Sequence, residues 1–394
     1  MKKFRLPYGV MGYLGNESYA KESLEKKLAK VFYLAGFEKV EPAVLEYLEL
    51  YQGIASEKRI ARMFKLMDTD GKMLVLRPDI TPQISRLVAL RGEETPITKL
   101  YYVGDSYEYL ADPQSTRDRE FAQVGIEMIG NSSVEGDIEV IILAIEALKT
   151  SGLKDFLIDI GNINFAEGIL EENGLTGEKA KELRKAISNK DALGIAMLAK
   201  EKKIKESVLA GLESLYGGIE VLERAQKFAV SKKSQNALDD LSKIMTALDA
   251  LGLSKYVSVD LGMLKGSYYT GLVIRGIAKD LGVSILEGGR YDALGAEFDK
   301  PSEAVGFAVG TKRLLLALEK QNAIDKPIPC DIAYINMDGI SKEEFEEITK
   351  LKKAGKRAIK LYTSDKKQLL DYCKKNNIKK AIVFAGEKME EVKS

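Results

Sequence analysis

Residues 76–87 read LRPDITPQISRL, and the segment changes character at its centre. Arg77, Asp79 and Thr81 alternate along an extended stretch, so their side chains can share one face. A carboxylate beside a hydroxyl suits an ammonium group, the charged end of an amino acid. The local alternative is that Asp79 and Thr81 cap the following helix while Arg77 pairs a surface acid. In that case Thr81 is the cap and Pro82 takes the first helical position.

Upstream, MFKLMDTDGKMLVLRPD (63–79) carries two apolar runs about Asp70-Gly71, a hairpin pattern. Before it, Asn16 followed by ESYAKESLEKKLAKVFYLAG predicts a capped amphipathic helix with Leu24, Leu28, Val31, Phe32 and Ala35 on one face and Gly36 as the stop. Downstream, KLYYVGDSYEYL and FAQVGIEMIG predict two strands, then a helix over about 134–150 and the strand DFLIDIG. Residues from about 165 to 252 read as a helical insertion with no fixed repeat. Strands return at YVSVDLG, SYYTGLVIRGIA and VSILEGG, and GFAVG leads into the helix TKRLLLALEKQ. After DKPIPCD, strand and helix patterns alternate as a small βαβαβ unit over about 330–394 that stops soon after its third strand. The fold class expected is α+β.

Composition narrows the function. The chain has 394 residues, no histidine, two cysteines and a net charge of +1. The commonest general base is therefore absent, a zinc site is not expected, and no global basic field points to nucleic acid. Cys330 and Cys373 are expected to be buried thiols rather than a disulfide. No apolar run approaches the length of a membrane span, and MKKFRLPYGVMGYLG has no signal-peptide core. A cytosolic location is expected.

Three further motifs carry candidate chemistry. In RDREFAQVGIEMIG (117–130), Gln123 and Glu127 are read as facing one way, with Gly125 on the opposite face; a half-exposed sheet face explains them as well. Tyr268, Tyr269, Arg290 and Tyr291 flank glycine-rich strands in SYYTGLVIRG and EGGRYDALG, where backbone can approach a ligand. They read equally as core tyrosines with a turn arginine. In GFAVGTKRLLLAL, Arg313 lies in a first helical turn, beside backbone N–H groups that favour anions; a surface ion pair is the alternative.

Taken in order, LRPxxTPxxxRL, REFxQxGxExxG, a helical insertion, YYTG, GGRYDxL and GFxxGxxRLL resemble the histidyl-tRNA synthetase catalytic core over about residues 1–322. This is a class II synthetase-like antiparallel sheet flanked by helices. The unit at 330–394 resembles a shortened anticodon-binding domain. The resemblance breaks at two arginine positions. The first falls at Glu108, inside LYYVGDSYEYLADPQST (100–116), which contains no Lys or Arg. The second falls at Leu264, where Leu264-Lys265-Gly266-Ser267 replaces Arg-Gly-Leu-Asp before the double tyrosine. Unit charges about 4 Å apart at an effective dielectric near 20 interact by roughly 4 kcal/mol. Turning attraction into repulsion can therefore cost up to about 10⁵-fold in rate. Adenylation is not expected.

The amino-acid half of the resemblance persists at Asp79, Thr81, Gln123, Glu127, Tyr269 and Tyr291, with Asp79 standing for a glutamate. A synthetase-like chain that keeps this half and loses the other resembles the regulatory subunit of ATP phosphoribosyltransferase. That resemblance implies no catalytic residues, metal or cofactor of its own. It implies a short-form catalytic subunit as partner, self-association, and L-histidine as effector in the first step of histidine biosynthesis. Asp79, Thr81, Gln123, Glu127, Tyr268, Tyr269, Arg290 and Tyr291 are then the histidine-binding candidates, Glu108 and Leu264 mark a lost ATP site, and Arg313 a residual anion site. A divergent histidyl-tRNA synthetase and a synthetase-like RNA- or protein-binding module using KLKKAGKRAIK and CKKNNIKK are the competing readings.

Overall fold

The computed structural model describes residues 6–91, 97–109, 118–175, 177–201, 204, 209–264, 269–279, 281–300, 302–327, 330–386 and 388–393. They form two compact units, Met1–Asp325 and Lys326–Ser394.

In the first unit, α1 (Asn16–Leu34) precedes β1 (Glu38–Lys39), β2 (Leu45–Tyr47), the short helix α2 (Glu57–Ile60) and the hairpin β3 (Lys65–Met67) and β4 (Met73–Leu76). Next come α3 (Thr81–Arg91), β5 (Thr98–Tyr107), β6 (Glu120–Ile129), α4 (Val134–Ser151) and β7 (Phe156–Asn162). The helical stretch holds α5 (Ile163–Glu172), α6 (Gly177–Ser188), α7 (Ala192–Glu201), β8 (Tyr216–Gly217), α8 (Glu220–Gln226) and α9 (Lys232–Ala250). The unit closes with β9 (Val257–Asp260), β10 (Leu272–Ala278), β11 (Ser284–Arg290), β12 (Ala304–Gly310) and α10 (Thr311–Lys320).

Nine strands form one sheet in the order β1-β5-β6-β12-β11-β10-β7-β9-β8. β1 runs parallel to β5 and β7 to β9; the other neighbours are antiparallel. β2, β4 and β3 make a separate three-stranded sheet. Alternation sends Val124, Ile126 and Met128 of β6 and Val305, Phe307 and Val309 of β12 to one face, where they meet α1, α4, α5, α9 and α10 in a continuous core. α1 contributes Leu24, Leu28 and Phe32, the last edge-on to Phe307 at 5.6 Å.

Local physics differs from expectation in several places. Asn16 is the first helical residue rather than the cap; Gly15 holds the cap position and no side chain bonds there. The stretch from 165 to 252 is not wholly helical, since β8 interrupts it, and α5 and α9 share the core behind the sheet. Thr81 does not cap its helix; its amide donates to Asp79 Oδ1 at 3.2 Å and its hydroxyl points elsewhere.

The second unit holds β13 (Ile332–Asn336), α11 (Lys342–Lys353), β14 (Ala358–Lys360), α12 (Lys366–Lys375), β15 (Lys380–Ala385) and β16 (Lys388–Lys393). The first three strands are parallel, as the βαβαβ pattern requires, in the order β14-β13-β15. β16 is an addition: Gly386, at φ +57°, turns the chain so that a fourth strand pairs antiparallel with β15. Cys373 is buried, Cys330 half-buried, and both are unbridged.

Replacing Phe32 by Ala should lower the unfolding free energy by about 3–5 kcal/mol, whereas Leu34→Ala on the exposed side of α1 should change it by less than about 0.5 kcal/mol. Urea denaturation of the two variants checks the pair.

Candidate functional site

The face of the large sheet opposite α1, α4, α5, α9 and α10 carries the candidate site, with α3 packed at its edge. Across it, Tyr102, Gly125, Ala308 and Glu287 fall in one row, and Glu127, Gly306 and Gly289 in the next. Gly125 therefore shares the face of Gln123 and Glu127, contrary to the expectation above, because a strand repeats its face every second residue. Its lack of a side chain has a use: a Cβ there would lie 2.6 Å from the Tyr102 ring and hydroxyl. A Cβ at Gly306 would lie 2.1 Å from Glu127 Oε2 and 2.3 Å from the Ile126 carbonyl. Glycine leaves floor space for two large polar side chains.

Glu127 is almost fully buried. Thr81 donates its hydroxyl to Oε1 at 2.6 Å, and Tyr291 donates to Oε2. Burial pushes the carboxyl up to about 8; the two hydroxyls work against that shift, and Asp79 adds to it. Tyr102, buried beside it, is raised well above its usual range by desolvation first and Glu127 second.

Asp79 lies at the entrance to α3. Its Oδ2 receives Arg59 Nη2 at 3.0 Å, and its carbonyl accepts from the Tyr51 hydroxyl at 2.9 Å. Tyr269 packs over Gly289, whose Cβ would meet its ring at 3.0 Å. Burial raises the Tyr269 hydroxyl, with Glu287, Asp79 and Glu127 adding to the shift and Arg59 opposing it. These residues therefore share one electrostatic environment: three carboxylates, one guanidinium and a ring of tyrosines. Gln123, half-buried on the same strand face as Glu127, has no side-chain hydrogen bond to any described residue. The arrangement suits a ligand with a cationic head and hydrogen-bonding polar groups.

The other candidates lie elsewhere. Arg290 belongs to the opposite side of β11, where it is buried and reaches the start of α4. Nη2 meets Asp137 Oδ1 at 2.6 Å, and Nη1 meets the Asn131 carbonyl at 2.7 Å. It positions Tyr291 rather than facing a ligand. Burial lifts Asp137 to about 6 even with this arginine beside it. Arg77 also turns inward, to the carbonyls of Asp105 at 2.7 Å and Pro42 at 2.6 Å, instead of pairing a surface acid. Arg313 reaches back to the Ser284 carbonyl at 3.0 Å and sits 3.9 Å from Glu287. Leu264 packs against the apolar core. Glu108, just past β5, meets Arg62 at 3.4 Å. Tyr268, Lys265, Ser267 and residues 110–116 of the basic-free run lie outside the described residues.

Arg59, Tyr51, Tyr102 and Glu287 were not legible as site residues. Arg59 stands in EKRIARMF, a basic surface-like run whose approach to Asp79 depends on the hairpin that follows it. A surface depression of about 780 Å³ between α6 and α7, lined by Glu182, Lys185 and Met197 among others, contains none of these residues.

The family model described as Histidyl-tRNA synthetase matches residues 9–314. The chain is 37% identical over 363 residues to an ATP phosphoribosyltransferase regulatory subunit of Acetivibrio thermocellus, spanning 90% of this chain and 85% of that one. It is 36% identical over 372 residues to the protein of the same name in Thermoanaerobacter pseudethanolicus, spanning 93% and 96%. The chain belongs to the ATP phosphoribosyltransferase regulatory subunit family. Among solved structures, one described as an ATP phosphoribosyltransferase regulatory subunit/histidyl-tRNA synthetase from Bacillus halodurans C superposes with a TM-score of 0.84 at 29% identity, covering 98% of this chain and 99% of that one. The histidyl-tRNA synthetase of Nostoc sp. PCC 7120 gives 0.81 at 20% identity over 100% and 97%, a likeness of fold. The family and the α+β class expected from the motifs are thus borne out.

Glu127 titrates near 8 in the fold and near 4.5 outside it. The folded state therefore binds the extra proton, and its contribution to stability is complete below about pH 4.5 and lost as pH rises through 8. Asp137 acts in the same sense but only up to about 6. Between pH 6 and 8 the unfolding free energy from urea denaturation should fall in the wild type, with a slope of up to about 1.4 kcal/mol per pH unit from Glu127, and stay flatter in Glu127→Gln. Equal slopes in both proteins would exclude Glu127 as the titrating group.

Proposed function

We propose that this chain is the non-catalytic regulatory subunit of an ATP phosphoribosyltransferase in the first step of histidine biosynthesis. It activates a short catalytic chain and conveys feedback inhibition by L-histidine bound at Asp79, Thr81, Gln123, Glu127, Tyr269 and Tyr291. The observation that carries this reading is the contrast between two halves of one sheet face. Glu127 is held by Thr81 and Tyr291 inside a complete polar cluster, while the position expected to bring a cation to a nucleotide carries Glu108, paired with Arg62. The amino-acid half is maintained and the nucleotide half has the wrong sign. The relatives' shared name supports a catalytic partner chain. A cytosolic location belongs to the same reading; among the described residues no helix is long and apolar enough to cross a membrane.

Histidine entering the cluster would engage α3, β6 and the turn after β11 together. Feedback follows if that engagement differs between two arrangements of the complex. The second unit offers less to the RNA-binding alternative than its lysine count suggests, since Lys360 is tied to the buried Glu344 at 2.6 Å.

Phosphoribosyl-ATP formation should appear, or rise severalfold, when the chain is mixed with a short phosphoribosyltransferase chain, and histidine should suppress it. Glu127→Ala should raise the half-inhibiting histidine concentration at least about tenfold, as loss of a buried hydrogen-bonding partner implies; unchanged inhibition places the sensor elsewhere. Histidine-dependent ATP–pyrophosphate exchange by the purified chain would instead establish a synthetase. Self-association is part of this reading, and a monomer mass in sedimentation at assay concentration would remove it.

A further inference from the structure

Arginines near the candidate site differ in what they have left to offer a ligand. Arg77 is spent on backbone carbonyls, Arg290 on Asp137 and the start of α4, and Arg62 on Glu108. Arg59 differs because one of its partners is itself a site carboxylate. Nη2 lies 3.0 Å from Asp79 Oδ2 and 3.5 Å from the Pro78 carbonyl. The Arg59 side chain keeps 31% of its surface exposed and Asp79 14%, so the cation is the more exposed partner. Arg59 and Asp79 both act on the buried Tyr269 hydroxyl, with Glu127 and Glu287. Opposite charges one salt bridge apart, beside buried tyrosines and carboxylates, match the two charged groups that an α-amino acid carries on a single carbon.

We propose that the Arg59–Asp79 ion pair is a placeholder for a bound amino acid, with the ligand's ammonium taking Asp79 and its carboxylate taking Arg59. The inference rests on the reading that the Glu127 pocket holds the effector, and it deepens that reading by making Arg59 the residue that demands a carboxylate. A zwitterion replaces the Arg59–Asp79 contact with two ion pairs of its own. A ligand with the ammonium but no carboxylate breaks the same pair and forms one, so it binds less tightly. The ion pair thus selects amino acids over the corresponding amines and amino alcohols, while the pocket behind it reads the side chain.

The test is calorimetric titration of the full-length chain with L-histidine and with L-histidinol, which keeps the ring and the ammonium and replaces the carboxylate by a hydroxymethyl group. Wild type should prefer histidine by at least about tenfold, the scale of one hydrogen bond between charged groups. Arg59→Met should bring the two affinities within about threefold, by weakening histidine and sparing or improving histidinol; Arg59→Gln serves if the methionine variant does not fold. Asp79→Asn should weaken both ligands. A wild type that does not discriminate, or an Arg59 variant that keeps the wild-type ratio, overturns the proposal. Glu127→Ala separates the two levels. If it loses both ligands while the ratio survives in Arg59→Met, only the ion-pair inference falls. If it binds both as wild type does, the pocket reading falls as well.

Discussion

Glu127 is a carboxyl group held at the centre of a sheet, almost without exposure, by hydroxyls from two distant parts of the chain. Ionising it there is costly unless its oxygens stay hydrogen-bonded. Thr81 and Tyr291 provide that, and in doing so they tie the start of α3 and the turn after β11 to β6. Asp79 is two residues from Thr81 and shares its backbone geometry through the 3.2 Å hydrogen bond, so the Arg59–Asp79 pair inherits its position from Glu127. The glycines at 125 and 306 belong to the same constraint, because side chains there would collide with Tyr102 and with Glu127 itself.

A chain with no histidine has no side chain that titrates near neutrality in its ordinary state. Here Glu127, at about 8, and Asp137, at about 6, take that range through burial. They lie on opposite sides of the sheet yet are connected. Arg290 holds Asp137 behind the sheet, while its neighbour Tyr291 holds Glu127 in front. Consecutive residues at the end of β11 thus brace both buried acids, and a disturbance of either reaches the other through one peptide unit.

How far the sequence could be read depended on the range of the interactions involved. The period-two alternation of β6 and the apolar stripe of α1 are local, and both were legible. Thr81 was ambiguous because a hydroxyl before a helix is the local signature of a cap; only the approach of β6, 46 residues on, turns it toward Glu127. Arg290 was misassigned for a related reason. Its motif resembles one that faces a ligand, but strand parity sends it to α4, while Tyr291, past the strand's end, swings to the site. Arg59 carried no local signal at all, and β16 was hidden because MEEV alternates too weakly to stand out against its charges.

Glu108 shows how little of this pattern is explained by stability. Its ion pair with Arg62 spans 3.4 Å, with the two side chains 37% and 21% exposed for Arg62 and Glu108 respectively, and partly solvated pairs of that kind contribute about 1 kcal/mol or less. Almost any polar residue would serve the fold equally well there. What glutamate changes is the field. Close to Glu108 the chain has spent Arg62 on it, and across the face Arg313 is turned to Ser284 and Glu287. Arg59 and Asp79, by contrast, are held as a close and balanced pair. A polyphosphate meets Arg62 and Arg313 already turned to acids, while a zwitterion meets one charge of each sign in Arg59 and Asp79. On the proposed reading, the charges on this face favour a small amino acid over a nucleotide, with Arg59 and Asp79 as the pair that decides it.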